Sequence, residues 1–212
     1  MDGTTSHSGP HAQNAACSAA MCARNWTCWP SGTGSPVTGT SHRDTSCIST
    51  AHLVPQLVAQ GWPRLAEVAP AAAAVVTPLA YDPGPLVDAL ASTPQTFVHS
   101  NWKLDNLGTD DQGRTVLLDW EQPGRGAALS DLAWYLAINC RRLPQPKEAA
   151  IAVYRDALEA AGVRTEPWWH RQLALCLLGA LVQFGWEKAL GGYDEELAWW
   201  EDRAVAAAAL LS

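Results

Sequence analysis

The tightest constraint on this chain is the run His99-Ser-Asn-Trp-Lys-Leu-Asp-Asn106, followed thirteen residues after Asn106 by Asp119, which closes the apolar stretch Val116-Leu-Leu. The apolar steps predict short strands over residues 96–99 and 115–120. Between them, Asp110-Asp-Gln-Gly113 has the composition of a hairpin turn. An amide and a carboxylate at this separation are the hard oxygen ligands that Mg²⁺ accepts while keeping several waters, so Asn106 and Asp119 are the candidate metal pair. Lys103 lies where a cation can offset phosphate charge. Phosphoryl transfer also needs an acid that takes or orients the proton of the attacking hydroxyl. The position suited to that task holds Asn101, an amide that does not titrate at physiological pH.

These residues, with Gly124-Arg-Gly and Asp131-Leu-Ala-Trp-Tyr135, resemble the C-terminal lobe of the aminoglycoside phosphotransferase and choline kinase family. The family pattern is His-Gly-Asp-x-x-x-x-Asn, then Ile-Asp-Trp or Ile-Asp-Phe, then Asp-Leu-Ala. His99, Asn106, Asp119 and Asp131 match it, whereas Ser100 replaces the glycine and Asn101 the catalytic aspartate. The resemblance extends over about residues 52–212. It implies a protein-kinase-like fold and transfer of the ATP γ-phosphate to a hydroxyl of a small molecule. It also implies ATP and Mg²⁺ as cofactors, with His99 and Asp131 bracing the loop and Lys103 touching phosphate.

The first fifty residues depart from that pattern. The chain has three lysines, Lys103, Lys147 and Lys188, so an ATP-anchoring lysine upstream of the loop has no candidate. Ser31-Gly-Thr-Gly34 and Gly39 lack flanking apolar alternation and suit a flexible loop better than a phosphate cradle. Residues 1–50 are dominated by Ser, Thr, Gly, Ala, His and Cys. Such a composition buries too little apolar area to offset its ordering entropy. The expectation is a disordered or non-native tail over 1–50, a C-lobe over 51–212, and an N-terminal sheet lobe that is absent or degenerate.

Cys17, Cys22, Cys28 and Cys47 lie in the tail without a Cys-x-x-Cys pair, so their spacing gives a zinc site little support even with His7, His11 and His42 nearby. Cys140 and Cys176 fall in apolar helical stretches. The opening Met1-Asp2 begins a polar run without a signal-peptide core, which makes a reducing cytoplasm the expected setting. The most apolar run, residues 173–182, is too short to span a bilayer. A net charge of −7 argues against nucleic acid or an anionic membrane as partner and suits a cationic small molecule. The oligomeric state is left open.

From residue 51 onward the chain reads as mainly α with a small β component (α+β), the strands forming one two-stranded catalytic-loop hairpin. Helices are expected over 51–68, interrupted by Pro55 and Gly61-Trp-Pro63, and over 83–91 with a proline start. A core helix follows over 128–142, then one over 146–161 ended by Gly162. Thr165 is expected to cap a long helix to residue 190, and Asp194 a last one to residue 211. Of the eleven tryptophans, Trp168, Trp169, Trp186, Trp199 and Trp200 fall on the last two helices, mostly as packing residues. Trp186 and Glu187 are the candidate substrate contacts, because an indole face and a carboxylate both suit a cation. Glu195, Glu196, Glu201 and Asp202 extend a conceivable cation-binding wall. Two functions follow: an impaired small-molecule O-phosphotransferase, or an inactive relative acting at most as a small-ligand binding module.

Overall fold

Helix α1 spans Leu53–Val68 and α2 spans Pro70–Tyr81 in the computed structural model, which describes residues 53–211. Then come α3 (Gly84–Ala91), β1 (Gln95–Val98), a 3₁₀ turn at Leu104–Asn106, β2 (Leu107–Thr109), β3 (Thr115–Leu117) and β4 (Gly124–Ala127). The chain continues through α4 (Ser130–Ile138), a second 3₁₀ turn (Cys140–Arg142), α5 (Lys147–Ala160), α6 (Trp169–Leu190) and α7 (Glu195–Ala208). The expectations for residues 1–50, including the tail cysteines and the Ser31–Gly34 segment, lie outside the described residues.

The long helix α6 is the axis of the core and packs against α1, α4, α7 and α2. Its buried positions Leu175, Leu178, Leu181, Gly185 and Ala189 face several neighbours rather than one. At 22 residues α6 is longer than the apolar run 173–182, and by length and composition alone it could cross a membrane. Half of that apolar stretch is buried inside the fold, which is how the core helix of a bundle reads. The crossing with α1 is close because both helices present glycine. A Cβ on Gly61 would stand 2.2 Å from the Trp186 carbonyl oxygen, and one on Gly185 would stand 3.1 Å from Leu65. Helix α1 runs unbroken through Pro55, Gly61 and Pro63, where interruptions were expected. Burial of Leu65 and the close seam along α6 outweigh the single hydrogen bond that Pro63 removes.

Helix α2 has no counterpart in the sequence reading, where residues 70–81 carry no helical assignment. Pro70 occupies its first turn, where a missing N–H costs nothing. Glu201 of α7 accepts from the Ala72 N–H at 3.0 Å, satisfying one of the donors that a helix start leaves open. Asp194 caps α7 as expected, accepting from Leu197 N at 2.9 Å. Thr165 does not cap α6: the helix begins at Trp169, and a turn over Thr165–Trp168 intervenes. The Thr165 hydroxyl bonds Glu159 of α5 instead. Trp169 and Trp200 are buried to within 2% and 1% of full exclusion, so these two serve packing.

The strands form two separate two-stranded sheets, where the sequence predicted one hairpin. Strand β2 pairs antiparallel with β3 across the Asp110–Gly113 turn, with Gly113 at φ 77. Strand β1 pairs with β4, Phe97 opposite Arg125 and Val98 opposite Gly124. The sequence of β4, Gly-Arg-Gly-Ala, has no apolar alternation to betray it. Its glycine at 126 serves close approach, since a Cβ there would meet Val98 Cγ2 at 3.0 Å. The ends of β1 and β3 thus lie side by side above α4.

Candidate active site

His99 and Ser100 leave β1 under the control of one side chain. The Asp131 carboxylate, in the first turn of α4, accepts from His99 N at 2.7 Å and from Ser100 N at 2.8 Å. Ser100 adopts φ 65, a left-handed conformation that costs an L residue about 1–2 kcal/mol and a glycine almost nothing. That requirement explains why glycine suits this position and what the serine here costs. The buried His99 ring spans the gap between the two strand ends. Its Nδ1 accepts from Asn101 N at 3.2 Å, which makes Nε2 the protonated nitrogen donating to Leu118 O at 2.8 Å. Trp120 stands edge-on to the ring, 4.4 Å between centroids.

The next residues converge on Asp119, itself at φ 63. Asn101 Nδ2 donates to Asp119 Oδ2 at 2.6 Å, and Asn106 Nδ2 donates to the same oxygen at 3.1 Å. Asn106 Nδ2 also donates to the Asn101 carbonyl at 2.8 Å, folding the loop back on itself. The Lys103 ammonium lies 3.9 Å from Asp119 Oδ2, with both side chains about 30% exposed (28% and 31%). Backbone strain of this kind gathers where surrounding bonds over-determine the chain. Here those bonds are the paired donors to Asp131 and Asp119.

Among the described residues no protein donor reaches Asn106 Oδ1 or Asp119 Oδ1, nor Asn101 Oδ1 beside them. An amide oxygen and a carboxylate oxygen fit a hard divalent cation. No group of three or more His, Cys, Asp or Glu that could hold a metal occurs among the described residues. A cation here would therefore take two protein oxygens and fill its shell with water and phosphate.

Residues absent from the sequence reading support this arrangement from below. Asn139, 1% exposed at the end of α4, accepts from Leu104 N at 3.1 Å and donates to Tyr135 O at 2.9 Å. Arg142 holds Asp105 through two parallel bonds of 2.8 and 2.9 Å, and the guanidinium keeps that carboxyl below the usual aspartate range. Fully buried Gln172 of α6 accepts from Leu129 N and donates to Thr93 and Pro94, tying the approach to β1 to the start of α4. A polar residue after the apolar run 136–138 was the signal for Asn139, whereas Gln172 sits beside His170 and Arg171 with no such signal.

Trp186 and Glu187 do not join this cluster. They line a cleft with Leu57, Asn139, Arg141 and Asp194 at the C-terminal end of α6. The Trp186 backbone abuts Gly61, and Glu187 lies 3.6 Å from Lys188, whose ammonium donates to Ala137 O at 2.6 Å. Two residues of the acidic wall are engaged by the chain's own donors. Glu196 pairs with Lys147 and takes the Trp200 indole N–H at 2.6 Å, while Glu201 takes Ala72 N and the Tyr193 hydroxyl. Trp199 already carries two of the chain's own cations, Arg203 at 3.7 Å and Lys147 at 4.9 Å from its ring centroid.

The loop thus gathers Asp131 under two backbone amides, His99 between two strand ends and an Asn106–Asp119 pair beside Lys103. Residues 49–171 match the model of the phosphotransferase enzyme family, and the chain belongs to that family. No curated protein and no solved structure matches the chain.

Proposed function

We propose that residues 53–211 are the helical C-lobe of a protein-kinase-like small-molecule phosphotransferase, and that this chain transfers little or no phosphate itself. The observation that carries the reading is the 2.6 Å bond from Asn101 Nδ2 to Asp119 Oδ2. At the position where a base would accept a hydroxyl proton, this chain presents a donor already directed at a carboxylate. Removing a general base typically forfeits about 10²–10⁴ in rate.

In this reading Asn106 Oδ1 and Asp119 Oδ1 would hold Mg²⁺, which neutralises phosphate charge when bound. Lys103 would face the phosphate from the loop, while His99 and Asp131 hold the loop's shape. Trp186 and Glu187 would bound an acceptor of cationic, hydroxyl-bearing type, and the chain's acidic balance favours such a partner over nucleic acid. A reducing cytoplasm is the setting consistent with that chemistry. The alternative, a small-ligand binding module without catalysis, is favoured by the same Asn101 bond.

The test is phosphate release and acceptor phosphorylation with ATP, Mg²⁺ and a panel of amino-alcohols and aminoglycosides. The expected result is no turnover above background for the chain and none for Asn101→Asp alone. Turnover by the unaltered chain would overturn the proposal. Calorimetric titration with Mg²⁺ and with ATP then separates a binding module from an inert one.

A further inference from the structure

Asn101 does more than leave a base position empty. Its bond to Asp119 Oδ2 is the shortest polar contact in the loop, and it shares that oxygen with Asn106 Nδ2 and the nearby Lys103 ammonium. The amide orientation follows from chemistry, because a carboxylate only accepts and so must face the nitrogen. The bond also runs beside the His99 Nε2–Leu118 O bond and joins the same two segments. These two ties flank the left-handed Ser100, and one of them ends on the left-handed Asp119. Neither strained residue would be held there by local preference.

We propose that Asn101 is a positioning residue: its amide closes the 99–106 loop onto Asp119 without a divalent cation. The donors on Asp119 Oδ2 supply the positive charge that a loop with two carboxylates at this contact would have to take from a metal. An aspartate at 101 would set two like charges in contact, and at that separation they repel strongly in a partly buried site. The substitution that removes the base is thus also the one that makes the resting loop self-sufficient. The comparison with a cation rests on the Asn106–Asp119 reading above, whereas the clamp rests on the hydrogen bonds alone.

The experiment compares the full chain with Asn101→Asp, Asp119→Asn and the double variant Asn101→Asp/Asp119→Asn. Thermal midpoints and amide exchange over 99–119 are measured in EDTA and in Mg²⁺. The unaltered chain should keep residues 99–119 protected in EDTA, and any rise of its midpoint in Mg²⁺ should be no more than binding at Asn106 and Asp119 supplies. Asn101→Asp should lose about 4 °C or more in EDTA, with faster exchange in the loop. The double variant should recover, because it rebuilds the same amide–carboxylate pair with its ends exchanged. A purely space-filling role for Asn101 predicts no such recovery. An Asn101→Asp protein as stable and protected in EDTA as the original, or a double variant no better than Asn101→Asp, would overturn the proposal. Should Asn101→Asp not fold, the double variant must match or exceed Asp119→Asn, and a worse double variant overturns the clamp. Recovery of Asn101→Asp by Mg²⁺ supports the amide as the cation's stand-in. Recovery by the double variant but not by Mg²⁺ supports the clamp and removes Mg²⁺ from the proposed function.

Discussion

Two regions of this molecule depend on glycine geometry in opposite ways. At the α1–α6 seam, Gly61 is needed because there is no room for a Cβ beside the Trp186 carbonyl. In the 99–106 loop the backbone angle at residue 100 is what favours glycine, yet the chain supplies serine. The seam is held by area: buried Leu, Ala and Trp side chains whose contributions add over many contacts. The loop is held by a few directed bonds to Asp131 and Asp119, each of which serves one atom. A bundle of the first kind tolerates many sequences and fails at points of steric contact. A loop of the second kind fails wherever one acceptor is removed.

The strongest break in this contrast is Gly61→Val. Valine gains only about 0.4 kcal/mol of helix propensity over glycine. Against that, overpacking on a backbone atom costs about 3 kcal/mol or more, because neither helix axis can shift without opening the Leu65 and Gly185 contacts. Urea denaturation should show that loss in the midpoint. An undiminished midpoint would mean that the two helices slide freely and that the seam is not close-packed.

Next in size is Asp131→Ala, which touches no part of that seam. It leaves the His99 and Ser100 amides without their shared acceptor, a loss of about 2 kcal/mol. Hydrogen exchange should locate the effect in residues 99–106 and in the Leu118 segment bridged by His99, with α1 and α6 unchanged. Loss of protection spread evenly over the helices would show that loop and bundle unfold as one unit rather than as two.

The same contrast explains what the sequence made legible. Helix α4 announces itself through apolar spacing, α5 through Gly162 and α7 through Asp194, whereas α6 buries residues on several sides and its start was misplaced at Thr165. Asn101, Asn106 and Asp119 come together in space as their spacing suggests, since a short hairpin is all that separates them. Helix α2 was obscured by Pro70 and Pro78, although its four consecutive alanines favour helix and it packs on α6 and α7. Strand β4 was hidden because it has no apolar alternation and its Gly126 is selected by Val98 of the partner strand. Asn139 and Gln172 stayed invisible because a buried polar residue is defined by distant donors: Leu104 lies 35 residues from Asn139, and Leu129 lies 43 from Gln172.

The smallest expected effect is the most discriminating, because its sign is opposite. Ser100→Gly removes the left-handed penalty of about 1–2 kcal/mol. It returns about 0.5–1 kcal/mol through the greater freedom of glycine in the unfolded chain. The Ser100 amide keeps its bond to Asp131 in either case, since only the backbone N–H is used. The net expectation is a gain of about 0.5 kcal/mol, seen as a small rise in the denaturation midpoint with loop exchange slowed. A loss in place of that gain would mean that the serine hydroxyl has a role in the loop, or that the loop does not hold residue 100 at positive φ. The second outcome would also weaken the Asn101 clamp, whose direction toward Asp119 is set by the turn at Ser100.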